Sequence, residues 1–252
     1  MCGRYAASAD VDRLVEIFEI DEVADQPGPD SPRPHAWNRP RYNIAPSDDV
    51  AAVLQRPGGA DHDHSARRLV GMHWGLVPSW SNRPTTGFRM INARVETVAS
   101  KPAFRQAFVR RRCLLPADGY YEWYPTQVNG KPAKQPFYIH PVAGDLMVMA
   151  GIYEFWRDPS RPRDDPQAWL VSCAIITTGA TDDLGLIHDR MPVQVSAQNW
   201  ASWLDPTLTT PDAVHALLHV PAPHEMTAYA ISTRVNLTGN DDPSLIQELG
   251  VS

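Results

Sequence analysis

The chemistry legible in this chain begins at its second residue. In Met1-Cys2-Gly3-Arg4-Tyr5, removal of the initiator methionine would leave a cysteine with a free α-amine and a thiol on adjacent carbons. An α-amino group titrates at about 7.7–8.0 and a thiol at about 8.5, so both are partly deprotonated near neutrality. Such a pair has a specific partner in an aldehyde. The amine condenses to an imine, the sulfur adds to the imine carbon, and a five-membered thiazolidine closes. A terminal nucleophile that supplies its own amine is an established mode of covalent catalysis. The competing role for Cys2 is that of a small apolar residue under the first strand, where free cysteines usually sit. These five residues alone favour that second role.

Three further stretches place polar groups where the local pattern heads for a core. Asn92-Ala93-Arg94-Val95-Glu96-Thr97 is the first, and Gly119-Tyr120-Tyr121-Glu122-Trp123 is the second. Glu122, flanked by aromatics, either points outward on an alternating strand or sits in an apolar pocket. Desolvation in such a pocket would raise its pKa and suit it to acid/base work; taken alone, the pattern favours the outward position. The third is Ile187-His188-Asp189-Arg190-Met191-Pro192, whose histidine is a general acid/base or a capped turn residue.

The elements that must position these groups are mostly short strands. Val11, Leu14, Val15 and Phe18 recur at helical spacing after Ser8, which reads as the N-cap. Val50 to Leu54 and Leu69 to Val77 read as strands. Ser100 and Pro102 open a helix whose apolar side is Phe104, Ala107 and Phe108, with Arg110 to Arg112 at its C-terminal end. From Cys113 the pattern is β: 113–115, 119–124, 136–140, 146–156 and 168–178, joined by turns containing Gly and Pro. This spacing predicts antiparallel meanders rather than βαβ units. Helices are expected at 196–204 and 211–218, and a last strand at 227–232. With no internal repeat, the chain reads as one α+β domain over 2–235, with 236–252 as a C-terminal tail.

Composition narrows the function. The 252 residues carry 23 Lys+Arg against 29 Asp+Glu, a formal charge of −6. That balance argues against indiscriminate coating of nucleic acid, though not against a local basic cleft. Three cysteines at 2, 113 and 173 form neither a disulfide framework nor a CxxC zinc pair. His62 and His64 lie in a polar loop and read as solvated, so neither a metal nor a cofactor is expected. The sequence offers no signal segment and no run of about 18 apolar residues. The expectation is a cytoplasmic protein that does not engage a membrane.

Five stretches occur together in a fixed order: Cys2-Gly-Arg-Tyr5, Trp74-Gly-Leu-Val-Pro-Ser-Trp80, Asn92-Ala-Arg-x-Glu-Thr97, Gly119-x-Tyr-Glu-Trp123 and His188-Asp-Arg-Met-Pro192. On these motifs the chain resembles the SRAP family, named for SOS-response-associated peptidase and typified by abasic-site processing proteins. The resemblance runs from Cys2 to about Thr233. The loops near 21–40, 57–67 and 157–168 read as insertions relative to shorter members.

The resemblance implies an antiparallel, barrel-like sheet flanked by helices. It also implies covalent trapping of abasic sites in single-stranded DNA through a thiazolidine at Cys2. Glu122 would assist sugar ring opening and proton transfer, His188 would be the second proton-transfer group, and Asn92 would position the Cys2 amine and the sugar. Arg4, Arg94 and Arg190 would contact phosphates, where the guanidinium fork gives two-point contacts. Trp74, Pro78 and Trp80 would stack on or wedge between bases, or else belong to the core. The implied partner is single-stranded DNA bearing abasic sites, met by a monomer associated with the nucleoid if bacterial. Two alternatives stand beside this: a cysteine peptidase using Cys2, His188 and Glu122, and a non-covalent reader of single-stranded or modified DNA.

Overall fold

In a computed structural model of the chain, residues 2–24, 37–56, 65–144, 146–181 and 184–250 are described. Thirteen strands dominate these residues, and five short α-helices flank them. The N-terminal part holds β1 (Tyr5–Ala7), α1 (Val11–Phe18), β2 (Glu22–Val23), β3 (Arg41–Ile44), β4 (Asp49–Arg56), β5 (Ala66–Trp74) and β6 (Asn92–Arg94). The central part holds α2 (Arg105–Arg110), β7 (Arg112–Ala117), β8 (Gly119–Val128), β9 (Lys131–Pro141), β10 (Met147–Arg157) and β11 (Trp169–Gly179). The last part holds α3 (Leu184–Ile187), β12 (Arg190–Pro192), α4 (Trp200–Leu204), α5 (Pro211–His215) and β13 (Met226–Ala230).

One sheet has the order β13-β9-β8-β1-β3. The other runs β11-β10-β7-β4-β5 and closes on itself, because β5 pairs in parallel with β11 at His73–Ser172 and Trp74–Cys173. The expected α+β, barrel-like architecture is what the strands form. The core falls into three clusters, two of which are separated by alternation along β10. On β10, Met147, Met149 and Tyr153 face a cluster shared with the first sheet, which contains Cys2, Tyr5, Ile44 and Tyr120. Val148, Ala150 and Ile152 face the opposite way, against Leu14, Phe18, Phe108 and Trp203 of the helices.

The α1 cap differs from expectation. Asp10 accepts from the Arg13 N–H at 2.9 Å and caps the helix, while the Ser8 N–H is bound by Asp118. The helix expected from Ser100 starts only at Arg105, since turns occupy 95–100 and 102–104. Arg112 belongs to β7 rather than to a helix end. Its buried guanidinium donates to the carbonyls of Phe108, Trp203 and Asp205 and lies 5.6 Å from the Trp203 ring centroid. Three carbonyl acceptors satisfy the guanidinium and explain an arginine in the core. The final segment packs back onto β3. Asn43 Nδ2 donates to the carbonyls of Val235, Leu237 and Asn240, and Asp241 accepts from the Tyr42 and Asn43 N–H groups and pairs with Arg41. His62 and His64 lie outside the described residues.

Candidate active site

Four separate segments bring the expected chemical groups together. Cys2 precedes β1 and is wholly buried, with its thiol 3.9 Å from the Arg4 carbonyl oxygen. Asn92 opens β6, and its Nδ2 donates to the Cys2 carbonyl at 2.8 Å. β6 is placed by parallel pairing to β11, Asn92 opposite Ile175 and Arg94 opposite Thr177. On the other edge of β11, β12 pairs Thr177 with Pro192 and Gly179 with Arg190. That pairing carries the His188 turn to the same end of the strand.

Glu122 sits on β8, with β1 and β9 as neighbours, and is only 4% exposed. The outward position suggested by its aromatic flanks is therefore incorrect. Residues 119–122 are all buried in succession, and exposure begins only at Trp123, because the first half of β8 is covered on both faces. Burial pushes the Glu122 carboxyl up to about 7, and the Glu122 charge in turn adds to the burial that pushes the Cys2 thiol up. His188 Nε2 lies 4.0 Å from Glu122 Oε2. Burial holds His188 below its usual pKa. The Arg190 N–H donates to His188 Nδ1 at 3.1 Å, so the neutral ring carries its proton on Nε2, facing Glu122. Asp189 Oδ1, 3.0 Å from Nδ1, is placed to accept from that nitrogen once the ring is charged.

Among the described residues, three buried polar atoms of this neighbourhood lack a hydrogen-bond partner: Asn92 Oδ1, Thr97 Oγ1 and Arg190 Nε. Buried polar atoms are nearly always satisfied, so these three are available to a bound molecule or water.

The expected DNA contacts divide. Trp80 is 63% exposed. Trp74 is fully buried, edge-on to Tyr5 at 5.2 Å, with its indole N–H on the Ile91 carbonyl, and Pro78 is buried too. Stacking on bases is thus closed to Trp74 and Pro78, which belong to the core. Two glycines make room for the Trp80 loop. Gly75 has φ +136°, and a Cβ on Gly87 would meet the Gly75 carbonyl oxygen at 2.4 Å. Arg94 is exposed. Arg4 is engaged, donating to Asn43 Oδ1 and the Val235 carbonyl and lying 5.8 Å from the Trp123 ring centroid. Arg190 spends its fork on Glu96, at 2.6 and 3.0 Å. Glu96 and Thr177, both at this end of β11, carried no assignment from sequence; the signal was a carboxylate inside the Asn92 motif with an arginine inside the His188 motif.

The family model for SOS response associated peptidase (SRAP) matches residues 1–238. The chain belongs to the SRAP family. Among its relatives, the abasic site processing protein YoqW of Bacillus subtilis is 36% identical over 247 residues, covering 98% of this chain and 99% of YoqW. The abasic site processing protein YedK of Escherichia coli is 30% identical over 249 residues, with 98% and 99% covered. A third, the abasic site processing protein HMCES of Gallus gallus, is 32% identical over 280 residues, covering all of this chain and 79% of HMCES. A crystal structure of a Bacteroides thetaiotaomicron protein superimposes with a TM-score of 0.74 at 23% identity, covering 98% of this chain and 100% of that one, and shares the fold.

Proposed function

We propose that this SRAP protein processes abasic sites in single-stranded DNA, forming a thiazolidine between Cys2, freed of Met1, and the C1′ aldehyde of the ring-opened sugar. The observation that carries the reading is the convergence of Cys2 with Asn92, Glu122 and His188 from four distant segments. The relatives' names give the electrophile its source.

The chemistry follows from the groups. The Cys2 amine adds to the aldehyde, water leaves to give an imine, and the thiol adds across the C=N bond. A carboxyl titrating at about 7 holds a proton for ring opening and dehydration and can accept the thiol proton afterwards. His188, neutral with its Nε2 proton facing Glu122, is the second proton carrier. Asn92 fixes the Cys2 carbonyl and has an unpartnered acceptor, Oδ1, for the new amine or a sugar hydroxyl. Sulfur addition removes the imine that would otherwise acidify the C2′ proton and lead to strand breakage by β-elimination.

The same electrostatics weigh against a cysteine peptidase. That chemistry needs a thiolate beside an imidazolium, whereas burial here pushes Cys2 up and His188 down. The test is stoichiometric. Protein lacking Met1 should give one equivalent of heat-stable product with an abasic oligonucleotide and leave unrelated peptides uncut; catalytic peptide turnover would reverse the assignment.

In this reading Trp80 and Arg94 contact the strand. Trp80→Ala should weaken binding of a single-stranded oligonucleotide by about 1–3 kcal/mol, measured by fluorescence anisotropy. Because Trp80 is exposed, thermal stability should not change; an unchanged affinity would remove Trp80 from the interface.

A further inference from the structure

We propose that Glu96 is a positioning residue of this site, gripping both arms of Arg190 so that the turn carrying His188 is locked to the strand carrying Asn92. The inference rests on the function proposed above. Its basis is the layout around Thr177 on β11. Arg94 of β6 pairs with Thr177 from one edge, and Pro192 of β12 pairs with it from the other. Asn92 and His188 therefore hang on strands that do not touch each other and depend on β11 to set their spacing.

The Arg190 side chain crosses that gap. It starts on β12, donates to the Thr177 carbonyl with Nη2, and meets Glu96 in the turn after β6 with both Nη groups. That turn is itself closed by the Thr97 N–H on the Arg94 carbonyl. A two-point arginine–carboxylate contact fixes orientation as well as distance. The backbone N–H of the same Arg190 donates to His188 Nδ1, so whatever holds Arg190 also holds the ring tautomer whose Nε2 proton faces Glu122. With both Nη groups engaged, Arg190 cannot also offer a two-point grip to a phosphate. Its buried Nε–H remains without a partner among the described residues. The geometry assigns Arg190 first to the scaffold of the site.

Three measurements on E96Q test this, with circular dichroism to verify the fold. Long-range nitrogen–proton spectra of the His188 ring, recorded without DNA, should show a single Nε2–H tautomer in the wild type and a mixture in E96Q. The rate of adduct formation with an abasic oligonucleotide should fall by about tenfold to a hundredfold, the scale of a misplaced reacting group. Affinity for an oligonucleotide carrying tetrahydrofuran in place of the abasic sugar should not change. E96D, which keeps the charge, should recover most of the rate. Should E96Q not fold, R190K serves instead, because lysine keeps the charge but cannot hold both oxygens; it should give the same tautomer mixture, and E96D/R190K should react no more slowly than R190K. An unaltered tautomer with an unaltered rate would overturn the proposal. So would tighter tetrahydrofuran binding with faster reaction, which would make Glu96 a competitor of phosphate. If the wild type itself forms no adduct, the functional reading fails, while the ring spectra still decide whether Glu96 holds the His188 turn.

Discussion

Cys2→Ala protein, freed of Met1, is expected to form no heat-stable product with an abasic oligonucleotide and to nick it slowly instead. The alanine amine still condenses with the aldehyde, but no sulfur is present to trap the imine. The imine then either hydrolyses or eliminates. The role proposed for the thiol is therefore protective, and its loss should change the kind of product rather than only the rate. Denaturing gels of both strands resolve the two outcomes: a retarded band for the wild type, a shortened strand for the variant. A retarded, heat-stable band from Cys2→Ala would show that the linkage runs through another residue. Asn92 and Glu122 would then surround a cysteine that is only packing, the role its complete burial also permits.

Glu122→Gln carries the second large effect, in two independent readouts. Adduct formation should slow by about 10²–10⁴-fold, the usual contribution of a positioned acid/base group. The part of the pH profile set near 7 by the buried carboxyl should be lost with it, leaving the rise set by deprotonation of the Cys2 amine. Stability gives the other readout, with the opposite sign. The fold raises this carboxyl from its ordinary 4.5 to about 7, so it binds its proton more tightly folded than unfolded. Its favourable contribution is complete below 4.5 and is lost as pH rises to about 7, a loss of about 3 kcal/mol. Glutamine is neutral throughout and escapes it. Urea unfolding should show Glu122→Gln gaining on the wild type as pH rises through that window. A constant difference would mean that Glu122 titrates as an ordinary exposed carboxylate.

The strands between Cys113 and Thr178 were legible because short apolar and aromatic runs bounded by Gly- and Pro-containing turns are local signals. The closure of the barrel was not, because β5 meets β11 across about a hundred residues through a two-residue parallel contact. β6 and β12 escaped for the same reason. Each has three residues, too few to show a period, and exists only because β11 offers it an edge. The motifs singled out Cys2, Asn92, Glu122 and His188, which the fold brings together, yet Glu122 taken by itself pointed the wrong way. A strand covered on both faces loses the alternation on which that inference depends. Trp74 and Trp80 sit in one motif and have opposite fates, set by the turn at Gly75 rather than by residue type. The pairing of Glu96 with Arg190 joins two motifs 94 residues apart, a distance at which local pattern carries no information.

The central claim is the covalent bond at Cys2, and intact mass spectrometry tests it most directly. Purified protein would be weighed alone and after incubation with a single-stranded oligonucleotide bearing one abasic site. The predicted result is a chain lacking Met1, and a second species equal to that chain plus the oligonucleotide less one water. Retention of Met1, or a mixture in which protein and oligonucleotide keep their separate masses, would contradict it.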